Sequence, residues 1–398
     1  MSSPERWTQP QPDGTVAATA AKPSAEQVIA GLRATSEGGS ELVQLLTPEG
    51  ERVSHPEFDI DLTAEELRGL YRDMVLIRRI DREGKALQRQ GQLGLWAPLL
   101  GQEAAQIGAG RALRPTDMAF PGYREHGVAW CRGIGPKEIL GMWRGIDHGS
   151  WDPMKYRFHP YTIVICNQCL NAAGYAMGQR FDGKVGDSDG EATMCFFGDG
   201  ATSQGDMHEA FVWASVYDAP LVFFCQNNQW AISEPTERQS RLPFYQRARG
   251  YGFPGIRVDG NDVIATLAVS RWALDECRTG NGPVLIEAFT YRMDAHTTSD
   301  DASRYRLSTE LEEWKLKDPI ERVRVHLART GMADSDFFES IQAEADVMAA
   351  DMRDYCMNLP DPPAERIFSN VYAEPNPVLD AQRDEYLSYV SGFAGGDH

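Results

Sequence analysis

Gly198-Asp199-Gly200-Ala201-Thr202-Ser203-Gln204-Gly205-Asp206 follows directly on the apolar run Thr193 to Phe197 (TMCFF), and the junction of these two pieces decides the fold. A short run that is apolar throughout reads as a strand buried on both faces of a sheet, and a glycine-rich polar stretch after it reads as the turn into a helix. The spacing predicts that helix over Met207 to Tyr217, with Asp206 and Glu209 as its capping pair. Leu221 to Cys225 (LVFFC), Ile256 to Val258 and Val284 to Ala288 (VLIEA) are further runs of the same kind, and Val263 to Arg278 is a second helix-length segment among them. Doubly apolar strands alternating with helices require an α/β fold, a parallel sheet with helices on both faces. Right-handed crossovers bring its strand-to-helix loops to one edge, where ligands of such folds bind.

Working outward, Thr63 and Glu66 form a capping box before Leu67, Leu70, Met74 and Ile77, so a helix is expected from Thr63 towards Gln90. Residues 1 to 25 are rich in Ser, Pro, Gln, Thr and Ala and carry few large apolar groups, the composition of a flexible arm. After Val325 a helical stripe of Phe337, Phe338, Ile341, Ala345 and Met348 is expected to run until Pro360 to Pro363 stop it. Ala364 to His398 carry Phe368, Val371, Tyr372, Tyr386, Leu387, Tyr389 and Phe393, an apolar set that another subunit is expected to cover. The expected organisation is an arm and lead-in over 1–61, an α/β domain over 62–330 and a helical and extended tail over 331–398.

The carboxylate of Asp199 sits where a bare phosphate loop avoids negative charge. Glycines on both sides admit a phosphate closely and the following helix offers its amides, so a cation is required between Asp199 and the anion. Twenty-six residues separate Gly200 from Asn227-Asn228-Gln229-Trp230, at the end of the next strand. Magnesium takes six oxygens, usually one or two carboxylates with phosphate and water, and the Asn228 amide and the Trp230 carbonyl add two neutral oxygens beside Asp199. Either motif alone is a common turn; together, each after an apolar strand, they read as a metal and phosphate site.

Composition removes other classes. The net charge is −19, with 39 Lys and Arg against 58 Asp and Glu, which argues against a nucleic-acid binder. Seven scattered cysteines fit a reducing cytoplasm rather than a secreted disulfide framework, and no run long enough for a membrane span or pattern of a signal peptide occurs. Cys166-Asn-Gln-Cys169 has no second pair to complete a zinc site and reads as buried thiols. No G-x-G-x-x-G follows the first strand, against a nicotinamide dehydrogenase.

GDG, twenty-six residues and NN is the pattern of thiamine diphosphate enzymes, and GDGATSQGDMHEAFVWAS with FFCQNNQWAIS resembles the α subunit of the decarboxylating component of 2-oxo acid dehydrogenase complexes, branched-chain type. PGYREHG (Pro121 to Gly127), IRVDGNDV (Ile256 to Val263) and YRMDAHTTSDDASRYR (Tyr291 to Arg306) extend the resemblance over about Leu62 to Arg329. It implies the thiamine diphosphate-binding fold, with Asp199, Asn228 and the Trp230 carbonyl as magnesium ligands and Gly198, Gly200, Ala201, Tyr123 and Arg124 around the diphosphate. Ile165, with Ile163 nearby, would wedge the thiamine into its folded form. His296 would face the reactive carbon as the catalytic residue and help hold the diphosphate, and Leu95, Trp96 and Tyr123 would wall the acyl pocket. Gln226 stands where some relatives place an arginine, and Thr297 where animal relatives carry a regulatory phosphoserine. The implied assembly is an α2β2 heterotetramer whose β subunit supplies the other half of the site, working with a lipoyl acyltransferase core on a small 2-oxo acid. The implied reaction is thiamine-dependent oxidative decarboxylation of 3-methyl-2-oxobutanoate and its homologues with acyl transfer to the lipoyl group; pyruvate is the alternative substrate, and a catalytically silent scaffold the alternative of another class.

Overall fold

The computed structural model describes residues 42–147, 149 and 151–393. The arm expected over residues 1 to 25 lies outside them. The apolar runs become parallel strands: β1 (Met118–Phe120), β2 (Thr193–Gly198), β3 (Leu221–Asn227), β4 (Gly255–Asp259) and β5 (Val284–Phe289). They form one sheet in the order β1-β2-β3-β5-β4. Alternate residues feed two separate cores. Phe196, Phe224 and Ile286 pack with α1 (Ala64–Arg89), α2 (Glu103–Ala112) and α6 (Val263–Arg278); Cys195, Phe197, Phe223 and Leu285 pack with α4 (Asn167–Phe181) and α5 (Gly205–Val216). Both faces are therefore dry, which is why the strands show no polar alternation. α3 (His126–Cys131) starts six residues after β1.

The Thr63 box forms as expected, with Thr63 Oγ1 accepting from Glu66 N at 3.2 Å and Glu66 Oε2 accepting from Thr63 N at 2.8 Å. The expected Asp206–Glu209 cap does not form. A 3-10 turn over Asp199–Ser203 follows β2 directly, and α5 starts at Gly205 from Gln204, which makes no side-chain cap. β1 was not expected, because three residues carry too little periodicity to read. Where the lead-in was expected, Val43, Leu45 and Leu46 are core residues, and Val43 bridges in parallel to Val258 of β4. The helical stretch after Val325 divides at Gly331, whose φ of +69° ends one helix: α7 (Pro319–Arg329) and α8 (Ser335–Asn358) both pack on α1. The last helix, α9 (Pro377–Ser391), buries none of its residues, and Val371, Tyr372, Tyr389 and Phe393 stand exposed around it. No helix among the described residues is long and apolar enough to cross a membrane.

Helix α1 also fixes the approach to the sheet's ligand edge. A Cβ on Gly84 would lie 2.4 Å from the ring of Trp96, so glycine lets the indole lie flat on the helix. Trp96 is fully buried there, its Nε1 donating to Asp81 at 2.8 Å, and Leu99 N donates to the same carboxylate oxygen at 3.0 Å. Gly84→Ala is therefore expected to lower unfolding stability by ~1–3 kcal/mol through overpacking. Chemical denaturation of the purified protein checks it, and an unchanged midpoint would show that Trp96 has room to move.

Candidate active site

The register of the sheet ends Gly198 of β2 opposite Gln226 of β3, and Asn227 of β3 opposite Phe289 of β5. The loops that leave these ends converge on a cleft of about 240 Å³. Gly122, Tyr123, Arg124 and Glu125 reach it after β1, Gly198, Gly200 and Ala201 after β2, Asn228, Trp230 and Ile232 after β3, and Arg292 and His296 after β5. Ile165 and Gln168 close it from the start of α4, and Gln102 from the start of α2.

Asp199 is buried between the two lining glycines, and its Oδ2 accepts from the neutral amide of Gln239 at 2.7 Å. Burial pushes its pKa up to about 6 against the pull of that hydrogen bond and of the nearby Arg292 charge. A buried carboxylate held by a neutral donor keeps a charge that calls for a cation. A Cβ on Gly200 would meet Ala231 Cβ at 2.8 Å, so only glycine lets the two loops close on each other. Asn228 Oδ1 accepts from Trp230 N at 3.3 Å while its amide donates to Gln102 Oε1 at 3.1 Å, and the Trp230 carbonyl accepts from Arg292 Nη1 at 2.7 Å. The Gln102 Nε2, Gln239 Oε1 and Arg292 Nε atoms are buried around this set without a protein partner among the described residues. The described residues hold no cluster of three or more His, Cys, Asp or Glu suited to a metal. One carboxylate, one amide and one carbonyl leave most of an octahedron to phosphate and water, so the donor set fits magnesium that arrives with a phosphate.

His296 lies between two guanidinium groups. Its Nδ1 is 3.3 Å from Arg124 Nη2 and 3.5 Å from Arg292 Nη1, and its Nε2 is 3.5 Å from the Tyr123 hydroxyl. Arginine only donates, so Nδ1 is the acceptor and the single ring proton is assigned to Nε2, on the Tyr123 side. Burial, then the Arg124 and Arg292 charges, push its pKa down to about 3. The loop is pinned through Asp300, whose Oδ2 accepts from His296 N at 2.8 Å and from the Tyr305 hydroxyl.

Of the residues expected at the site, Tyr123, Arg124, Ile165, Gly198, Gly200, Ala201, Asn228, Trp230 and His296 line the cleft, with Asp199 buried among them. Ile163 is exposed and does not line it. Leu95 and Trp96 do not line it either: Leu95 packs against the core, and Trp96 is held in the core by Gly84 and Asp81 and stacks on His126 at 4.6 Å. The apolar lining comes instead from Ile165, Phe197, Ala201 and Ile232. Arg292, Gln102 and Glu125 were not singled out in the sequence; Arg292 had a readable signal, four residues before His296 within YRMDAH. Cys166 and Cys169 are free, buried thiols, with Cys169 Sγ 3.5 Å from that of Cys195.

The dehydrogenase E1 component family model matches residues 71–362. The chain belongs to this family. It is 46% identical over 347 residues to the 3-methyl-2-oxobutanoate dehydrogenase subunit alpha of Mycobacterium tuberculosis, covering 87% of this chain and 93% of that one. The pyruvate dehydrogenase E1 component subunit alpha of Acholeplasma laidlawii is 37% identical over 347 residues, 86% of this chain and 98% of its own. That of Staphylococcus aureus is 38% identical over 314 residues, 78% and 83% of the two chains.

A second histidine of this E1 chain, the fully buried His126, also has its pKa pushed down to about 3, chiefly by burial; its Nδ1 lies 2.8 Å from the Tyr161 hydroxyl and its Nε2 3.1 Å from the Ala97 carbonyl. An unfolded histidine takes up its proton near pH 6.5, so between pH 6.5 and 3 the folded state binds fewer protons and stability falls as the pH falls. Removing one such histidine with His126→Gln is expected to flatten that acid slope. Denaturation midpoints between pH 7 and 4 measure it, and parallel slopes for the two proteins would refute the assignment.

Proposed function

We propose that this cleft is the diphosphate half of a thiamine diphosphate site and that the chain is the α subunit of a 2-oxo acid dehydrogenase acting on 3-methyl-2-oxobutanoate and its branched-chain homologues. The observation that carries the reading is the convergence of Asn228, Trp230, Arg124, Arg292 and His296 on one cleft, with Asp199 buried between its lining glycines. Asp199, the Asn228 side chain and the Trp230 carbonyl would hold magnesium; Gly198, Gly200, Ala201, Tyr123 and Arg124 would receive the diphosphate. When bound, thiamine diphosphate supplies the electron sink for loss of CO2 from a 2-oxo acid.

The chain's own part is binding, orientation and one proton. Arg124 and Arg292 bring two fixed cations to the anion. Burial and then the two guanidinium charges depress His296, and an anion beside them would offset the charge part, so diphosphate binding would raise the proton affinity of that imidazole and ready it to pass a proton at Nε2 during acyl transfer to the lipoyl group. Ile165, half exposed at the cleft, and Ile163 and Val164, exposed beside it, are an apolar rim for the β subunit of an α2β2 assembly to cover. The uncovered α9 segment supports the same partner, and the lipoyl acyltransferase core receives the acyl group. The preference for branched acids rests on the higher identity to the branched-chain relative and on the apolar lining.

Asp199→Ala is expected to weaken magnesium-dependent thiamine diphosphate binding by about two orders of magnitude, ~2.8 kcal/mol, while the protein stays folded. Calorimetric titration of the assembled heterotetramer measures it, and unchanged affinity removes the metal assignment. His296→Ala is expected to lower the overall rate of the reconstituted complex by ~100- to 10,000-fold, and decarboxylation read with an artificial electron acceptor by less. Equal losses in both assays would place His296 before acyl transfer. The ratio of kcat/KM for 3-methyl-2-oxobutanoate to that for pyruvate decides the substrate: a ratio above one is expected, and one below it assigns the chain to pyruvate.

A further inference from the structure

Arg124 reaches the cleft from a loop, and a loop arginine holds an anion well only if its backbone is fixed. Its main chain is held by two buried side chains, Gln106 and Glu125, which a third, Gln226, ties together. Gln106 of α2 donates from Nε2 to the Arg124 carbonyl at 3.0 Å and to Gln226 Oε1 at 3.0 Å, and its Oε1 accepts from Gly127 N at 2.8 Å. Gln226, at the end of β3, donates from Nε2 to Glu125 Oε1 at 2.6 Å. Glu125 Oε2 accepts from Arg124 N at 3.2 Å, closing the circuit on the residue where it began.

All three side chains are at least 97% buried, so each bond is made out of water's reach, where an unmade one is costly. Two glycines make room for the circuit. A Cβ on Gly127 would stand 2.9 Å from Gln106 Cβ, and one on Gly122 would stand 3.2 Å from Glu125 Oε2. With its backbone held, the Arg124 guanidinium spans to the His296 carbonyl at 2.9 Å and to the Pro98 carbonyl. Gln226 carries no charge of its own to give an anion, and its amide is turned to Glu125.

We infer that Gln106, Gln226 and Glu125 form one positioning relay that sets Arg124 for the diphosphate, so that the end of β3 acts on the anion through hydrogen bonds to the Arg124 loop and not by direct charge. The inference rests on the cofactor reading above. Gln226 and Gln106 are positioning residues, and their removal changes affinity for the anion rather than the turnover of bound enzyme.

The test uses the assembled heterotetramer with two probes read by calorimetry, thiamine diphosphate with magnesium and inorganic pyrophosphate with magnesium. Gln226→Leu and Gln106→Leu are each expected to weaken both probes about tenfold, the weight of one or two buried hydrogen bonds. The double variant is expected to bind no worse than the poorer single one, because either change opens the same circuit. The KM for thiamine diphosphate is expected to rise in step while kcat at saturation stays within about twofold, a split that general loss of structure does not produce. Glu125→Gln, which keeps the volume and cannot keep both acceptor bonds, serves in the same titrations if a leucine variant does not fold. Unchanged probe affinity in a folded variant, or losses that multiply in the double variant, overturns the relay. Failure of the unaltered heterotetramer to bind either probe overturns the cofactor reading, and the relay's role with it.

Discussion

The parallel pairing of β2 with β3, carried to its last rung at Gly198 and Gln226, is the constraint on which the site depends. The two strands end level, so the loops that leave them start side by side, and no later element has to bring Asp199 near Asn228 and Trp230. A parallel ladder of this kind is stable only when both faces are covered, which α4 and α5 do on one side and α1, α2 and α6 on the other. The dry sheet in turn explains the burial of Asp199. The carboxylate is attached to the first residue past a strand buried from Thr193 to Phe197, and almost none of it reaches the surface.

Electrostatics at the cleft run against those of the whole chain. A protein with a net charge of −19 concentrates Arg124 and Arg292 on either side of His296, and both guanidinium groups spend several donors on main-chain carbonyls, those of Pro98 and His296 for Arg124 and of Trp230 and Ile232 for Arg292. Carbonyl partners orient a guanidinium without neutralising it. The cations therefore keep their charge, and burial between them holds the histidine neutral. Neither guanidinium forms a direct ion pair with Asp199 or Glu125, whose carboxylates accept from the neutral amides of Gln239 and Gln226.

What could be read from the sequence was whatever burial imprints on a local pattern. β2, β3, β4 and β5 were legible because a strand buried on both faces must be apolar at every position, and α1 because Thr63 and Glu66 satisfy its first amides within four residues. The loops after β2 and β3 that meet at the cleft were legible because glycine and carboxylate requirements are local too. β1 is three residues long and shows no period. The start of α5 was misplaced because a 3-10 turn takes up residues that a cap would have used. Trp96 could not be assigned to the core from its own neighbourhood, since its place depends on Gly84 and Asp81 one and more helical turns away in another element. With Trp96 in the core, the apolar lining of the cleft falls to Ile165, Phe197, Ala201 and Ile232.

The same reasoning bears on why the fold leaves apolar surface uncovered. Ile163 and Val164 precede the cleft-lining Ile165, and a chain that must present one apolar group at the mouth of a polar cleft has no core of its own with which to bury the two beside it. Ile165 stands in the tight turn that leads into α4, where Asn167 N donates to the Val164 carbonyl at 3.3 Å, so the three residues cannot all turn inward. The exposure at the mouth is thus a consequence of presenting Ile165 there. On the proposed reading, a second surface closing over this rim would bury Ile163 and Val164 and dry the mouth of the cleft together.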